Sequence, residues 1–139
     1  MTSPETFFRK ELVKELRNVA RLMKDEKSVE KKLYYFSAAY GVTNRTYRYV
    51  FSGEVLLADL VLNTAYQTMV ERLKMLKSGD TTVSLDENVF ISIQEGLQLL
   101  ANAFEDNKPI QNPLEKILTV AFSVSGPGNY LKEKGMVKF

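Results

Sequence analysis

The chain has 139 residues, a net charge of +2 and an ordinary globular balance of 45% hydrophobic and 26% charged residues. That length predicts one domain over residues 1–139, and the net charge is too small to indicate nucleic-acid or membrane binding by itself. Histidine, cysteine and tryptophan are absent, which excludes imidazole and thiol nucleophiles, disulfides and Cys or His metal ligands. We therefore expect no metal, no cofactor and no catalytic residue.

The apolar runs are short. The longest, residues 55–62, is interrupted by Asp59 and falls far below the ~20 apolar residues that a membrane-spanning helix needs. The first ten residues lack the order of a secretory signal, in which basic residues precede an apolar stretch. We expect a cytoplasmic protein.

The first helix is predicted from its start signal and its apolar spacing. Ser3 supplies a capping oxygen, Pro4 suits the first helical position and Glu5 complements the helix dipole. Apolar residues then recur every three or four positions over about six turns. These are Phe8, Leu12, Leu16, Val19 and Met23, and the basic residues Arg9, Lys10, Lys14, Arg17 and Arg21 mostly lie off that stripe.

The second segment allows two interpretations. Ser28 is placed to cap a helix whose core face would carry Leu33, Phe36, Tyr40, Tyr47 and Phe51. Either this helix runs from about 29 to 51 and the next from 54 to 77, or it stops at Gly41. In the second case one long helix, capped by Thr43 or Asn44, runs through Gly53 to Lys77. A single glycine costs a helix only ~1 kcal/mol relative to alanine, so the sequence leaves both open.

The later segments repeat the same signals. Ser78-Gly79 ends a helix, and Ser84-Leu85-Asp86-Glu87 is a capping box for the next one. Its core face is predicted to carry Val89, Ile93, Leu97, Leu100 and Phe104, with an end near Asn107-Lys108-Pro109. A shorter helix starts at Asn112-Pro113 and stops at Ser125-Gly126. No segment shows the alternation of apolar and polar residues that is typical of a β-strand. The fold class is all-α: an up-and-down four-helix bundle with a short fifth helix and a C-terminal tail.

Asp59 is an acid within an apolar run. It would act as a general base or ligand if its pKa were raised. The favoured interpretation is structural: an acid near a helix N-terminus, or one paired with an arginine across an interface.

A loop of small polar residues gives the one candidate ligand site, formed by Ser78, Gly79, Asp80, Thr81 and Thr82. Such a loop ahead of a helix N-terminus can bind anions through backbone amides. About five residues resemble part of the Gly-Asp-x-Gly-Thr-Thr nucleotide loop of cobalamin adenosyltransferases, a family of helical bundles that form trimers. Here the loop follows half the chain and lacks one glycine. The resemblance implies a related bundle, in a sister family, rather than the same activity.

Residues 31–51 combine five tyrosines with basic side chains. On a continuous helix one stripe lies roughly opposite the predicted core face. It consists of Tyr35, Ala38, Val42, Arg45 and Tyr49. Tyrosine and arginine are enriched in protein–protein contacts, so the leading hypothesis is a homo-oligomeric interaction module that uses this stripe.

Two alternatives belong to other classes. The first is a nucleotide- or cofactor-binding bundle that uses the 78–82 loop. The second is a weak nucleic-acid binder that uses Lys31, Arg45 and Arg48. The net charge disfavours this last class.

Overall fold

The computed structural model describes residues 3–79, 85 and 87–123, with side chains of the last helix described through Thr119. Five helices account for nearly all of this part of the chain, as the spacing predicts. They are α1 (Pro4–Asp25), α2 (Val29–Tyr49), α3 (Gly53–Lys77), α4 (Glu87–Glu105) and α5 (Gln111–Ser123). The fold is an all-α bundle in which the short α5 supplements four longer helices.

The helices pack in a ring in which α5 separates α3 from α4. Helix α1 packs between α2 and α4, α2 packs on α3, and α5 fills the space between α3 and α4. Short connections make consecutive helices antiparallel. The N-termini of α1 and α3 therefore lie at the same end of the bundle as the C-terminus of α2. This arrangement gathers residues from three helices at one end.

The predicted helix boundaries are largely confirmed. The Ser3 and Ser28 hydroxyls accept hydrogen bonds from the backbone N–H groups of Thr6 (3.2 Å) and Lys31 (3.4 Å). Helix α4 ends in a Schellman motif, since Asn107 has a φ of 55° and the Lys108 N–H donates to the Ala103 carbonyl at 2.8 Å. Helix α5 begins at Gln111, before the predicted start at Asn112-Pro113. The predicted capping Ser84 and the stop at Ser125-Gly126 lie outside the described residues.

The two interpretations of residues 29–77 are now resolved. Helix α2 ends at Tyr49 and α3 begins at Gly53, whereas Gly41 lies inside α2. Thr43 and Asn44 are helix-interior residues, so the alternative in which one of them caps a long helix is wrong.

The core lies where the stripes of α1 and α4 predict it, but only partly where that of α2 does. Leu33 and Phe36 are buried as predicted, whereas the other buried α2 residues include Ala39, Thr43 and Thr46. Tyr40 and Tyr47 are only partly buried on one flank of this face, and Tyr35 packs on its other flank. Phe51, predicted to be in the core, is 85% exposed, because the helix ends before it and Val50 takes the buried position.

Candidate functional site

The bundle buries part of the predicted interface stripe on α2 and leaves the rest exposed. Val42 is buried in the core and Tyr35 packs against it, so neither side chain forms an open surface. Ala38 and Arg45 are exposed. Tyr49 is 57% exposed. The core direction falls between the two predicted faces of α2, which leaves only the outer part of the stripe available to a partner.

Tyr49 is ordered by a contact that the sequence does not indicate. Its ring stacks on that of Phe8 from α1, with centroids 4.2 Å apart and planes inclined by 4°. Phe8 in turn meets the ring of Phe7 edge-on at 5.3 Å. The start of α1 and the end of α2 therefore present a row of three aromatic rings.

Further large apolar side chains are exposed just after α2 and in the first turns of α3. Phe51 meets Tyr47 edge-on, with centroids 6.1 Å apart. Leu57 and Leu60, in the first eight residues of α3, are 47% and 54% exposed. We define the Phe51 surface by its large, exposed apolar residues. They are Phe7 (52% exposed), Tyr49, Phe51, Leu57 and Leu60.

The sequence pattern missed part of this surface. It placed Phe51 in the core and did not single out Phe7. The available signal was Ser52-Gly53, since a helix that ends there frees Phe51 from the face to which periodicity assigns it.

The predicted ligand loop is described only at its start. The Ser78 hydroxyl donates to the Met75 carbonyl at 2.8 Å, and Gly79 has a φ of 95°. Both residues therefore serve to end α3, with the Gly79 N–H donating to the Leu76 carbonyl at 3.1 Å. Asp80, Thr81 and Thr82 lie outside the described residues.

Asp59 connects α2 to α3. It is buried, and its two carboxylate oxygens accept hydrogen bonds from the Thr43 hydroxyl (3.1 Å) and the Asn44 amide (3.3 Å). It lies beyond the first turn of its helix and is bound by neutral donors rather than by an arginine. These contacts favour a structural role for Asp59, but its partners are Thr43 and Asn44 and not the predicted arginine or helix N-terminus. Within the described ranges, no group of three or more Asp and Glu residues is placed to hold a metal ion.

Two cations are buried among the residues that the structure describes. The Lys32 ammonium donates to the Met23 carbonyl at the end of α1 (2.9 Å) and lies 5.6 Å from the centre of the Phe90 ring. Arg72 is 1% exposed, and burial lowers its pKa to about 10, so it stays charged at neutral pH. The helical spacing of α3 could have predicted that Arg72 is buried, since it follows the buried Met69 by three residues.

A polar groove runs along the outer side of the α1–α4 contact. Arg17 donates to both carboxylate oxygens of Glu105 (2.8 and 2.9 Å) and to the side-chain amide oxygen of Asn102 (2.9 Å). The hydrogen bonds between Arg17 and Glu105 raise the pKa of Arg17 and lower that of Glu105. Depressions of about 660 and 670 Å³ lie on either side of Arg17, within the range of ligand-binding clefts.

Among the described residues, no helix combines the length and apolarity that crossing a membrane requires. Comparisons with protein-family models, with curated proteins and with solved structures find no significant match to this chain.

Proposed function

We propose that this protein is an interaction module that associates with a second copy of itself through the Phe51 surface. The observation that carries this proposal is the 85% exposure of Phe51, together with the exposure of four more large apolar side chains toward the same end of the bundle. Clustered exposed apolar groups are uncommon on monomers and are typical of contact surfaces. Fully burying one phenylalanine side chain stabilises a contact by about 2 kcal/mol.

The shape and charge of this end suit an isologous contact. In a two-fold contact each residue of the surface faces its counterpart or a near neighbour. The rim carries both signs of charge, since Arg48 and Glu54 are both exposed within a few residues of Phe51. Each copy can therefore present a cation to the acid of the other. The aromatic stack of Tyr49 on Phe8 fixes part of the surface in advance, which lowers the entropy cost of association.

A dilution series followed by light scattering tests the proposal. We expect the wild-type protein to form a dimer that dissociates on dilution, and Phe51→Ser to raise the dissociation constant by about tenfold or more. Tyr34→Ser is the matched control, because Tyr34 is another exposed aromatic residue (71%) but lies near the start of α2, at the other end of the bundle. A wild-type protein that stays monomeric up to its solubility limit would rule the proposal out, as would equal weakening by both variants.

A further inference from the structure

Five cations form a regular stripe along α1. Residues 10, 14, 17, 21 and 24 follow one another by four, three, four and three positions, which places them on one face of the helix. All are lysine or arginine, and all are exposed except Arg17, which is half-buried. At a rise of 1.5 Å per residue the stripe is about 21 Å long, or about four turns. We call it the α1 cationic stripe, and its members are Lys10, Lys14, Arg17, Arg21 and Lys24.

Helix stability accounts for only part of this pattern, since Lys24 in the last turn complements the helix dipole. Like charges three or four residues apart destabilise a helix by about 0.2–0.5 kcal/mol per pair, and the stripe contains four such successive pairs. Of its five members, only Arg17 forms an ion pair within the part of the chain that the structure describes. The arrangement therefore places charge on one face at some cost to the helix.

The stripe forms one wall of the groove between α1 and α4, and the two walls differ in charge. The α4 wall carries the amides of Gln94, Gln98 and Asn102 together with the carboxylates of Glu87, Glu95 and Glu105. Val13, Ala20 and Ile91 add apolar area to the lining. A ligand that fits this groove has negative charge on one side and is apolar or polar on the others.

We infer that the groove binds an amphipathic helix of a partner protein, with acidic residues along one face. Only another helix repeats charge at the three- and four-residue spacing of the stripe over the same rise per residue. Helices commonly bind in grooves between two others, with their apolar face inward. A nucleic acid fits less well, because its phosphates would also meet the three glutamates of the α4 wall.

The binding of a designed peptide tests this inference. The probe is a synthetic, fluorescently labelled helical peptide of about four turns with glutamates spaced four, three, four and three residues apart. A peptide of the same composition with scrambled glutamates is its control, and a short DNA duplex tests the nucleic-acid alternative. Fluorescence anisotropy at low and high salt gives the affinities. We expect the patterned peptide to bind at least about tenfold more tightly than the scrambled one, with an affinity that salt weakens.

Charge reversal locates the site. Lys14→Glu combined with Arg21→Glu is expected to reduce affinity by at least about tenfold, whereas the charge-preserving pair Lys14→Arg and Arg21→Lys retains it. Lys31→Glu combined with Arg45→Glu removes as many exposed cations from α2 and is expected to leave affinity nearly unchanged. Circular dichroism verifies that each variant is folded. Equal affinity for the two peptides, tighter binding of the duplex, or equal loss in both charge-reversed proteins would each overturn the inference.

Discussion

The rings of Phe8 and Tyr49 stack nearly parallel, with their centroids 4.2 Å apart, although the two residues belong to different helices. Phe8 is half-buried against the core, whereas Tyr49 is 57% exposed. The contact therefore fastens the last turn of α2 to the first turns of α1 and leaves the outer surface of the tyrosine open. One residue pair thus contributes both to the fold and to the proposed contact surface.

Replacing Tyr49 tests both contributions. Tyr49→Glu removes the stack, which is worth about 1 kcal/mol, and puts a charge on the Phe51 surface that association would have to desolvate. We expect the helical content to persist, the free energy of unfolding to fall by about 1 kcal/mol and self-association to weaken strongly. Denaturant unfolding and light scattering measure the two effects.

Tyr49→Phe is the control for this substitution, because it retains the ring and its stack on Phe8. It should leave stability and association close to those of the wild type. If Tyr49→Glu associates as tightly as the wild type, Tyr49 does not belong to the contact.

The helices could be predicted from sequence because their signals are local. Caps such as Ser3 and Ser28 and the three- and four-residue apolar spacing of α1 and α4 specify their elements without reference to the rest of the chain. The sequence could not decide whether α2 ends before Gly53 or at Gly41, since the apolar spacing continues across both glycines. Packing against α1 and α3 decides where this segment bends.

The buried face of α2 was mispredicted for a chemical reason. Its central positions include Thr43 and Thr46, which a polar–apolar pattern counts as polar. The Thr46 hydroxyl donates to the Val42 carbonyl in the same helix (2.7 Å), and the Thr43 hydroxyl donates to the Asp59 carboxylate of α3 (3.1 Å). With these groups satisfied, the threonines pack like apolar residues, whereas tyrosine carries a hydroxyl that favours the flank. The error moved the predicted core face by part of a turn, and with it the predicted contact surface.

The ion pair between Arg17 and Glu105 predicts a pH dependence. The hydrogen bond from Arg17 lowers the pKa of Glu105 in the folded protein below its ordinary value of 4.5. The unfolded chain therefore binds the proton more tightly, and the stabilisation is present above pH 4.5 and disappears as the pH falls through the folded-state pKa. We expect Glu105→Gln to lower the melting temperature at pH 7 and to have progressively less effect below pH 4.5.

A double-mutant cycle supplies the control for this pH dependence. In an Arg17→Gln background the carboxylate has lost its partner, so Glu105→Gln should change the melting temperature little at any pH. An effect of Glu105→Gln that is the same at pH 7 and at pH 3 would contradict the assignment.

The bonds of Asp59 predict different effects for a single and a double substitution. Asp59→Asn keeps the shape but leaves a single acceptor oxygen for the donors of Thr43 and Asn44. We expect it to lower the free energy of unfolding by about 1 kcal/mol. Asp59→Leu combined with Thr43→Val removes the carboxylate and one donor together, which is often neutral or stabilising for buried groups.

Chemical denaturation compares these two proteins with the wild type. We expect the double variant to be at least as stable as Asp59→Asn. If Asp59→Asn instead equals the wild type in stability, the second oxygen of the carboxylate contributes nothing to the contact between α2 and α3.

Two helical glycines predict alanine substitutions of opposite sign. At Gly41 an added Cβ meets no atom within 4 Å, and the position is exposed in the interior of α2. Gly41→Ala should therefore raise the free energy of unfolding by about 0.5–1 kcal/mol, because alanine restricts the unfolded chain and favours the helix.

At Gly96 an added Cβ would lie 2.5 Å from Cγ1 of Ile117, where α4 crosses α5. That clash forces the two helices apart or the isoleucine out of place, and overpacking of this kind costs about 1–3 kcal/mol. Thermal denaturation of the two variants measures the contrast. In an Ile117→Ala background the obstructing atoms are gone, so Gly96→Ala should then be neutral or stabilising. If Gly96→Ala remains equally harmful there, close approach of Ile117 is not the reason that position 96 requires glycine.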